Sequence, residues 1–279
     1  MRIPYQEFQQ EGEVLHFCHA NGYPPGTYRI LLEDISTKFH VFAMHMRPLW
    51  HSSSPVELED WRPLAIDLSN FLDEHNLHNL VGTGHSMGAT TTLRLALMQP
   101  ERFRALVLID PVLFPPRFCI VWDYIYRLGF GHKLHPLVSG ARRRKRSFQS
   151  QEAMFKNYRY KKVFRNLSDD VLRDYVDSLA SVRLDSCVEL SYTPEWEAQI
   201  YVTGVRADME IWRNLSSLKR PLMIIRGAKS NTFWEKTGKI IRNHLPDAKI
   251  FSVRGATHLV PLEKPKEVSN LIFKFLQSI

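Results

Sequence analysis

Cysteine is scarce in this sequence, and long apolar runs are missing from it. Cys18, Cys119 and Cys187 are the only cysteines among 279 residues, an odd and scattered set that excludes a disulfide framework as the basis of the fold. We therefore expect reduced, mostly buried thiols and a cytoplasmic protein. No apolar stretch reaches the roughly 18 residues needed to cross a bilayer. Residues 1–14 lack the basic and apolar regions of a signal peptide, so we expect neither a signal peptide nor a transmembrane segment.

Acidic residues are nearly absent from residues 111–165. This segment holds 13 lysines and arginines against only Asp123 and Glu152. The surplus is densest in ARRRKRSF (141–148), which contains the run Arg142–Arg146. Such runs are usually solvated surface. The functional hypotheses are attraction of an anionic substrate and peripheral contact with a lipid surface. No nucleic-acid recognition motif accompanies the charge, so we expect no nucleic-acid partner.

Short apolar runs alternate with helical patterns at both ends of the chain. The runs of strand length are 13–20, 39–46, 78–85, 103–110, 220–227 and 248–255. Segments with apolar residues at helical spacing are 27–37, 60–76, 87–99, 234–245 and 266–279. Continuous apolar strands are typical of a parallel sheet that is covered on both faces. The alternation therefore predicts an α/β fold, with a mostly parallel central sheet and helices on both faces.

The alternation is interrupted in the middle of the chain. Residues 111–218 are mainly helical by pattern, and the clearest helix is SDDVLRDYVDSLAS, with Ser168 as its predicted N-cap. The many aromatic residues between 114 and 164 are expected to form the core of this insertion, and some of them to line a pocket. We therefore predict a core made of residues 1–110 and 219–279, and an inserted, mainly helical cap over 111–218.

The segment GHSMG (84–88) places Ser86 between two glycines, at the junction of a predicted strand and a predicted helix. In this context G-x-S-x-G is the pattern of a nucleophile elbow, a sharp turn that holds a serine in a strained conformation and needs small residues on either side. The free N–H groups at the start of the following helix favour negative charge there. Ser86 is therefore the candidate nucleophile. The alternative is an incidental serine in a glycine-rich turn.

With this motif the sequence resembles the serine hydrolases of the α/β-hydrolase fold that carry a helical cap. The resemblance covers both ends of the chain and weakens through the cap. It implies a site whose residues follow in the order serine, acid, histidine. It also implies an oxyanion hole, because His19–Asn21 in HFCHANG match the family's His-Gly-type motif, with Ala20 where glycine is frequent. By this match the N–H groups of Asn21 and Met87 would hold the oxyanion. The alternative is a plain strand-to-loop turn.

The candidate base is His258. It lies in FSVRGATHLVPLEKP, after the last predicted strand and before the last predicted helix. The stretch from Gly255 to Pro261 resembles the family's Gly-x-x-His-x-x-Pro. A base is needed because a serine hydroxyl is a weak nucleophile at neutral pH. The alternative is an unrelated surface histidine.

The acid has two candidates. Most of the family places it after the strand that corresponds to PLMIIRG, but here that loop reads GAKSNTFW and offers only Asn231. The second position is the end of the strand that follows the nucleophile helix, where Asp110 stands in RALVLIDPV. Asp110 is favoured because a carboxylate stabilises the imidazolium by charge, which an asparagine cannot do. The alternatives are Asn231 as an uncharged third member, and Asp110 as a turn residue before Pro111.

The resemblance implies hydrolysis of a carboxylic ester, or of a thioester, through an acyl-serine intermediate. The expected partner is a small-molecule ester with an acyl or anionic part, and no cofactor is expected. No metal is expected either, because the histidines of HFCH and HNLH have no second cluster to complete a site. Two alternatives stay open: C–C hydrolysis, lyase or perhydrolase chemistry at the same site, and a non-catalytic ligand-binding protein. A serine nucleophile argues against the dehalogenase and epoxide hydrolase branches, which use aspartate.

Overall fold

A seven-stranded, mostly parallel sheet organises the molecule. The computed structural model describes residues 2–9, 11–50, 54–183 and 187–279. The strands are β1 Tyr5–Phe8, β2 Glu13–Cys18, β3 Phe39–Met44, β4 Leu80–His85, β5 Phe103–Ile109, β6 Ser147–Phe148, β7 Ala180–Val182, β8 Val188–Leu190, β9 Leu222–Gly227 and β10 Lys249–Val253. The central sheet has the order β1-β3-β2-β4-β5-β9-β10, and only the β1–β3 pair is antiparallel.

Helices flank this sheet. The α-helices are α1 Arg29–Ser36, α2 Arg62–Glu74, α3 Met87–Met98, α4 Pro116–Arg127, α5 Gly131–Leu134, α6 Val138–Arg142, α7 Gln151–Arg159, α8 Asp169–Leu179, α9 Pro194–Thr203, α10 Asp208–Asn214, α11 Glu235–His244, α12 Val260–Glu263 and α13 Pro265–Gln277. Helix α1 packs on α13, and α2 packs on α3. Every residue of β4 and β9 is buried, as expected for parallel strands covered on both faces. The predicted fold class is therefore confirmed.

The strand at one edge of the sheet was not predicted. Strand β1 has the sequence YQEF, and it pairs antiparallel with β3 in the register Tyr5 to Met44. Three of its four residues are only partly buried and the fourth is exposed. A short, mixed sequence of this kind has no apolar run that would indicate a strand.

The chain between β5 and β9 contains helices α4–α10, in agreement with the helical pattern of this segment. Ser168 caps α8 as predicted, since its Oγ accepts the N–H of Val171 at 3.4 Å. A small antiparallel sheet in the order β6-β8-β7 also lies here. Its strands of two or three residues are too short for an alternating pattern, which is why the sequence did not predict them. The division into core and cap stays a prediction.

Two of the three cysteines lie in the interior. Cys18 and Cys119 are buried free thiols, and burial raises the pKa of each to about 12. At neutral pH both are therefore protonated and poorly reactive. Within the described ranges, no helix is long and apolar enough to cross a membrane.

Candidate active site

Ser86 stands at the turn from β4 into α3 with a left-handed backbone. Its φ is 55° and its ψ is −119°. An L-residue adopts such a conformation only at an energetic cost, which is typical of functional sites. The flanking glycines make the turn sterically feasible. A Cβ on Gly84 would lie 2.6 Å from the carbonyl carbon of Gly88, and a Cβ on Gly88 would lie 2.2 Å from the carbonyl oxygen of Cys18.

The structure brings Ser86, His258 and Asp110 together. His258 Nε2 lies 2.9 Å from Ser86 Oγ, and His258 Nδ1 lies 3.0 Å from Asp110 Oδ1. The carboxylate accepts the Nδ1 proton, so Nε2 carries the lone pair that can take the serine proton. Asp110 is fully buried, whereas the His258 side chain is 25% exposed. The arrangement is therefore a continuous hydrogen-bonded chain that joins the candidate nucleophile, the candidate base and the candidate acid.

Buried donors hold Asp110 in place. Its Oδ2 accepts the Gly227 N–H at 2.7 Å, and its Oδ1 also accepts the Ser230 hydroxyl at 2.6 Å. These bonds join the end of β5 to the loop after β9. Ser230 was not predicted, although it stands in GAKSN, the loop that also contains Asn231. Its role depends on a partner 120 residues away in the chain.

Asn231, the alternative third member, does not bond to His258. Its side chain is exposed, and its Oδ1 accepts the hydroxyl of Thr232 at 3.4 Å. Its carbonyl oxygen accepts the indole N–H of Trp234 at 2.8 Å. The hydrogen bonds of Asn231 therefore stay within its own loop.

Asn21 and Met87 line the same cavity as Ser86 and His258. Met87 is the first residue of α3, so its N–H has no partner within the helix. Among the hydrogen bonds of the described residues, none uses the N–H of Asn21 or of Met87. Two hydrogen bonds fix the Asn21 side chain. Its Nδ2 donates to the Glu197 carbonyl at 3.1 Å, and its Oδ1 accepts the Tyr192 hydroxyl at 2.7 Å.

His19 shapes the loop that carries Asn21. Its Nδ1 donates to the Ala20 carbonyl at 2.8 Å, and its Nε2 accepts the Met46 N–H at 3.0 Å. Burial lowers the pKa of His19 to about 3, so the ring is neutral at physiological pH. His19, the second histidine of HFCHANG, therefore fixes the conformation of the loop beside the site.

A second buried histidine links this loop to the loop of His258. The Ala20 N–H donates to the Tyr28 hydroxyl at 3.2 Å, and that hydroxyl donates to His85 Nδ1 at 2.7 Å. His85 Nε2 in turn donates to the His258 carbonyl at 2.9 Å. Burial lowers the pKa of His85 well below its usual value, which keeps the ring neutral and able to both accept and donate. His85, the residue before Ser86, thus connects the loop of Ala20 to the loop of His258.

A cavity of about 470 Å³ opens over the serine. Much of its lining is apolar, with Trp61 and Phe114 among the larger side chains. The cations Lys162 and Arg165 also line it, and both are exposed. In the described part of the chain, no cluster of three or more His, Cys, Asp or Glu side chains is arranged to hold a metal ion. The cavity suits a small molecule with an apolar part.

The basic run is partly internal. Arg144 is only 7% exposed, and it bonds to the Glu197 carboxylate at 2.5 Å. Arg146 pairs with Glu195, and Arg142 contacts His132 at 2.9 Å. The interpretation of 141–148 as a solvated surface run is therefore wrong for Arg144, because its charge is neutralised within the fold.

Comparison with known proteins agrees with this architecture. Residues 14–265 match the family model of the α/β hydrolase fold. The chain belongs to the α/β hydrolase family. The relatives indicate a hydrolase of this family, without specifying the bond that it cleaves.

Two curated proteins and one solved structure illustrate the range of activities named for similar proteins. Bifunctional epoxide hydrolase 2 of Sus scrofa is 22% identical over 97% of this chain and 53% of its own length. A putative esterase/lipase of Haemophilus influenzae is 21% identical over 94% of this chain and 83% of its own. The structure of E-2-(acetamidomethylene)succinate hydrolase superposes with a TM-score of 0.79 at 19% identity, covering 99% of this chain and 95% of that one. The chain spans about half the length of the bifunctional epoxide hydrolases that it matches.

Proposed function

We propose that this protein hydrolyses a carboxylic ester or thioester through an acyl-serine intermediate. Ser86 is the nucleophile, His258 the general base, and Asp110 the acid that orients and stabilises the imidazolium. The observation that carries the proposal is the relay of 2.9 Å and 3.0 Å bonds through His258, which ends on a serine with a φ of 55°.

In acylation, Ser86 Oγ attacks the carbonyl carbon while its proton moves to His258 Nε2. The imidazolium that forms keeps its Nδ1–H on the buried carboxylate of Asp110, whose charge offsets it. The N–H groups of Asn21 and Met87 bind the oxyanion, and one such donor is typically worth about 3 kcal/mol in the transition state. The proton on Nε2 then passes to the departing alcohol or thiol.

In deacylation, a water molecule takes the place of the leaving group. His258 Nε2 accepts its proton, and the hydroxide oxygen attacks the acyl carbon of the Ser86 ester. The second tetrahedral intermediate collapses to the free acid and returns the proton to Ser86 Oγ. All steps use groups of this chain and water, so the proposal requires no cofactor.

Epoxide hydrolysis, the activity named for some relatives, does not suit a serine at the elbow. A carboxylate that opens an epoxide forms an ester, which water cleaves in a second step. Ser86 would instead form an ether, which has no carbonyl carbon for water to attack. The nucleophile type therefore favours substrates that already contain the carbonyl.

The first experiment is covalent labelling with a fluorophosphonate probe, followed by intact-mass spectrometry. We expect one adduct on the wild type, none on Ser86→Ala, and labelling slowed by two or more orders of magnitude in Asp110→Asn. Asn231→Ala is the matched control: Asn231 lines the same cavity but makes no hydrogen bond to His258, so labelling should stay close to that of the wild type. Slowing in Asn231→Ala with normal labelling of Asp110→Asn would overturn the assignment of the acid.

Turnover tests the reaction class. A series of p-nitrophenyl esters and acyl thioesters should show kcat/KM values that disappear in Ser86→Ala. Rapid cleavage of a β-diketone with negligible ester turnover would move the function to C–C hydrolysis at the same site. Tight ligand binding that survives Ser86→Ala, with no turnover of any substrate by the wild type, would favour the non-catalytic alternative.

A further inference from the structure

A second cavity, of about 490 Å³, adjoins the first. The two share Tyr23, Leu137, Val163 and Tyr201 in their linings. We call it the cap cavity, because α6, α7 and α9 contribute to its walls. Its lining includes neither Ser86, His258 nor Asp110, so the reaction proposed above does not use it.

Four cations line the cap cavity against one carboxylate. They are Arg143, Arg144, Lys145 and Lys161, and the carboxylate belongs to Glu197. Arg144 uses that carboxylate and also donates to the hydroxyls of Tyr158 at 3.0 Å and Tyr175 at 2.6 Å. Arg143, Lys145 and Lys161 make no ion pair with any described residue. The cavity therefore has a surplus of three positive charges.

Of these three cations Arg143 and Lys145 are exposed, and Lys161 is the one that is partly withdrawn from water. Its side chain is partly buried, and its ammonium lies over the ring of Tyr158, 4.3 Å from the centroid. Burial and the nearby charge of Arg144 lower the pKa of Lys161. The Glu197 carboxylate opposes this decrease in pKa, but it is already bonded to Arg144, and a bound anion would offset the repulsion that remains.

The cap cavity touches the loop that carries the oxyanion donor. Gly22 lines it, and a Cβ at this position would lie 3.5 Å from both Arg144 Nη1 and Glu197 Cδ. The preceding residue, Asn21, lines the first cavity and donates to the carbonyl of Glu197. The cap cavity is thus separated from the loop of Asn21 only by Gly22 and Glu197.

We propose that the cap cavity binds the phosphate group of a substrate whose acyl group lies in the active-site cavity. The inference rests on the proposed esterase or thioesterase function and narrows it to phosphate-bearing esters. Three uncompensated cations match a phosphate dianion better than a single carboxylate. Lysine and arginine donors are those that proteins use for this group.

Binding to the Ser86→Ala protein tests this without turnover. Calorimetry compares two matched pairs at low ionic strength: hexanoyl-coenzyme A with hexanoyl-N-acetylcysteamine, and 1-hexanoylglycerol 3-phosphate with 1-hexanoylglycerol. The phosphate-bearing member of at least one pair should bind ten-fold or more tightly. The pair that shows the preference distinguishes a nucleotide-type thioester from a lipid-type ester.

Substitutions locate the phosphate. Lys161→Gln and Arg143→Gln should each reduce the phosphate preference about five-fold, the effect of one solvent-screened charge contact. Lys156→Gln is the matched control, because Lys156 is an exposed lysine on α7 that lines neither cavity and pairs with Glu152. Equal binding within both pairs, or a preference unchanged in the Lys161→Gln/Arg143→Gln double variant, would overturn the proposal.

The two proposals fail separately. A phosphate preference in the Ser86→Ala protein, with no turnover of any of the four compounds by the wild type, would keep the phosphate site and refute the esterase. Wild-type turnover at equal kcat/KM of the two members of each pair, with equal binding to the Ser86→Ala protein, would keep the esterase and refute the phosphate site.

Discussion

Replacing Tyr28 by phenylalanine removes one buried hydroxyl that joins three segments around the site. This hydroxyl accepts the Ala20 N–H at 3.2 Å and donates to His85 Nδ1 at 2.7 Å, and His85 carries the connection on to the His258 carbonyl. Tyr28 is 1% exposed. Phenylalanine fills nearly the same volume, so the packing is kept while the polar link is lost.

The magnitude follows from what the hydroxyl leaves behind. One donor, the Ala20 N–H, and one acceptor, His85 Nδ1, lose their partner in the interior. A buried polar group without a partner costs about 1–3 kcal/mol, so the free energy of unfolding should fall by about 2–6 kcal/mol. The loops of Asn21 and His258 also lose their common anchor. We therefore expect a ten-fold or greater drop in the labelling rate of Ser86.

Urea unfolding measures the first effect, and fluorophosphonate labelling under native conditions measures the second. Tyr124→Phe is the control, because the Tyr124 side chain is 67% exposed and its hydroxyl can bond to water in either state. Suppose that Tyr28→Phe lowered the free energy of unfolding by less than about 1 kcal/mol and that its Ser86 were labelled at the wild-type rate. The connection through His85 would then contribute neither to stability nor to the reactivity of the serine.

Three further predictions follow from single contacts. Asp110→Asn should lower kcat about 10³–10⁴-fold in ester turnover, because the imidazolium loses its counter-charge; a loss below ten-fold would contradict this role. Gly88→Ala should prevent soluble expression, because the new Cβ would lie 2.2 Å from a backbone carbonyl oxygen of β2. Gly140→Ala is the control: its new Cβ would have no atom within 4 Å, so this variant should melt within a few degrees of the wild type. His16 and His19 have pKa values lowered to about 3 by burial, so the unfolded chain binds protons below pH 6.5 that the native protein excludes. The free energy of unfolding should be highest above pH 6.5 and should fall by about 1.4 kcal/mol per pH unit for each histidine as pH drops toward 3; urea midpoints that stay flat from pH 7 to 5 would refute this.

The central sheet and the elbow were readable from the sequence because both depend on local properties. Runs such as FRALVLID are apolar throughout, as strands buried on both faces must be, and β5 appears within one residue of that run. The glycines of GHSMG are needed by the turn itself, since a side chain at either position would collide with backbone. His258 was found by its place between the last strand and the last helix.

The contact of Asp110 with His258 was decided by tertiary structure. Strands β5 and β9 are neighbours in the sheet, so the loops after both open at the same edge and each could present a third member to His258. The path of the second loop leaves Asn231 exposed on the wall of the active-site cavity, without a bond to His258, and brings Ser230 onto Asp110. The sequence determined which positions were available, and the packing of two loops more than 100 residues apart determined which of them bonds to His258.

The basic run Arg142–Arg146 also shows which properties the sequence determines and which ones depend on tertiary structure. Five consecutive cations, Arg142–Arg146, determine a local surplus of charge, and that much is visible in the sequence. The partners that draw Arg144 inside are the hydroxyls of Tyr158 and Tyr175 and the carboxylate of Glu197, which lie 14, 31 and 53 residues further along the chain. Burial of a charge depends on groups that meet only when the chain folds, so tertiary structure alone separated the internal arginine from its exposed neighbours.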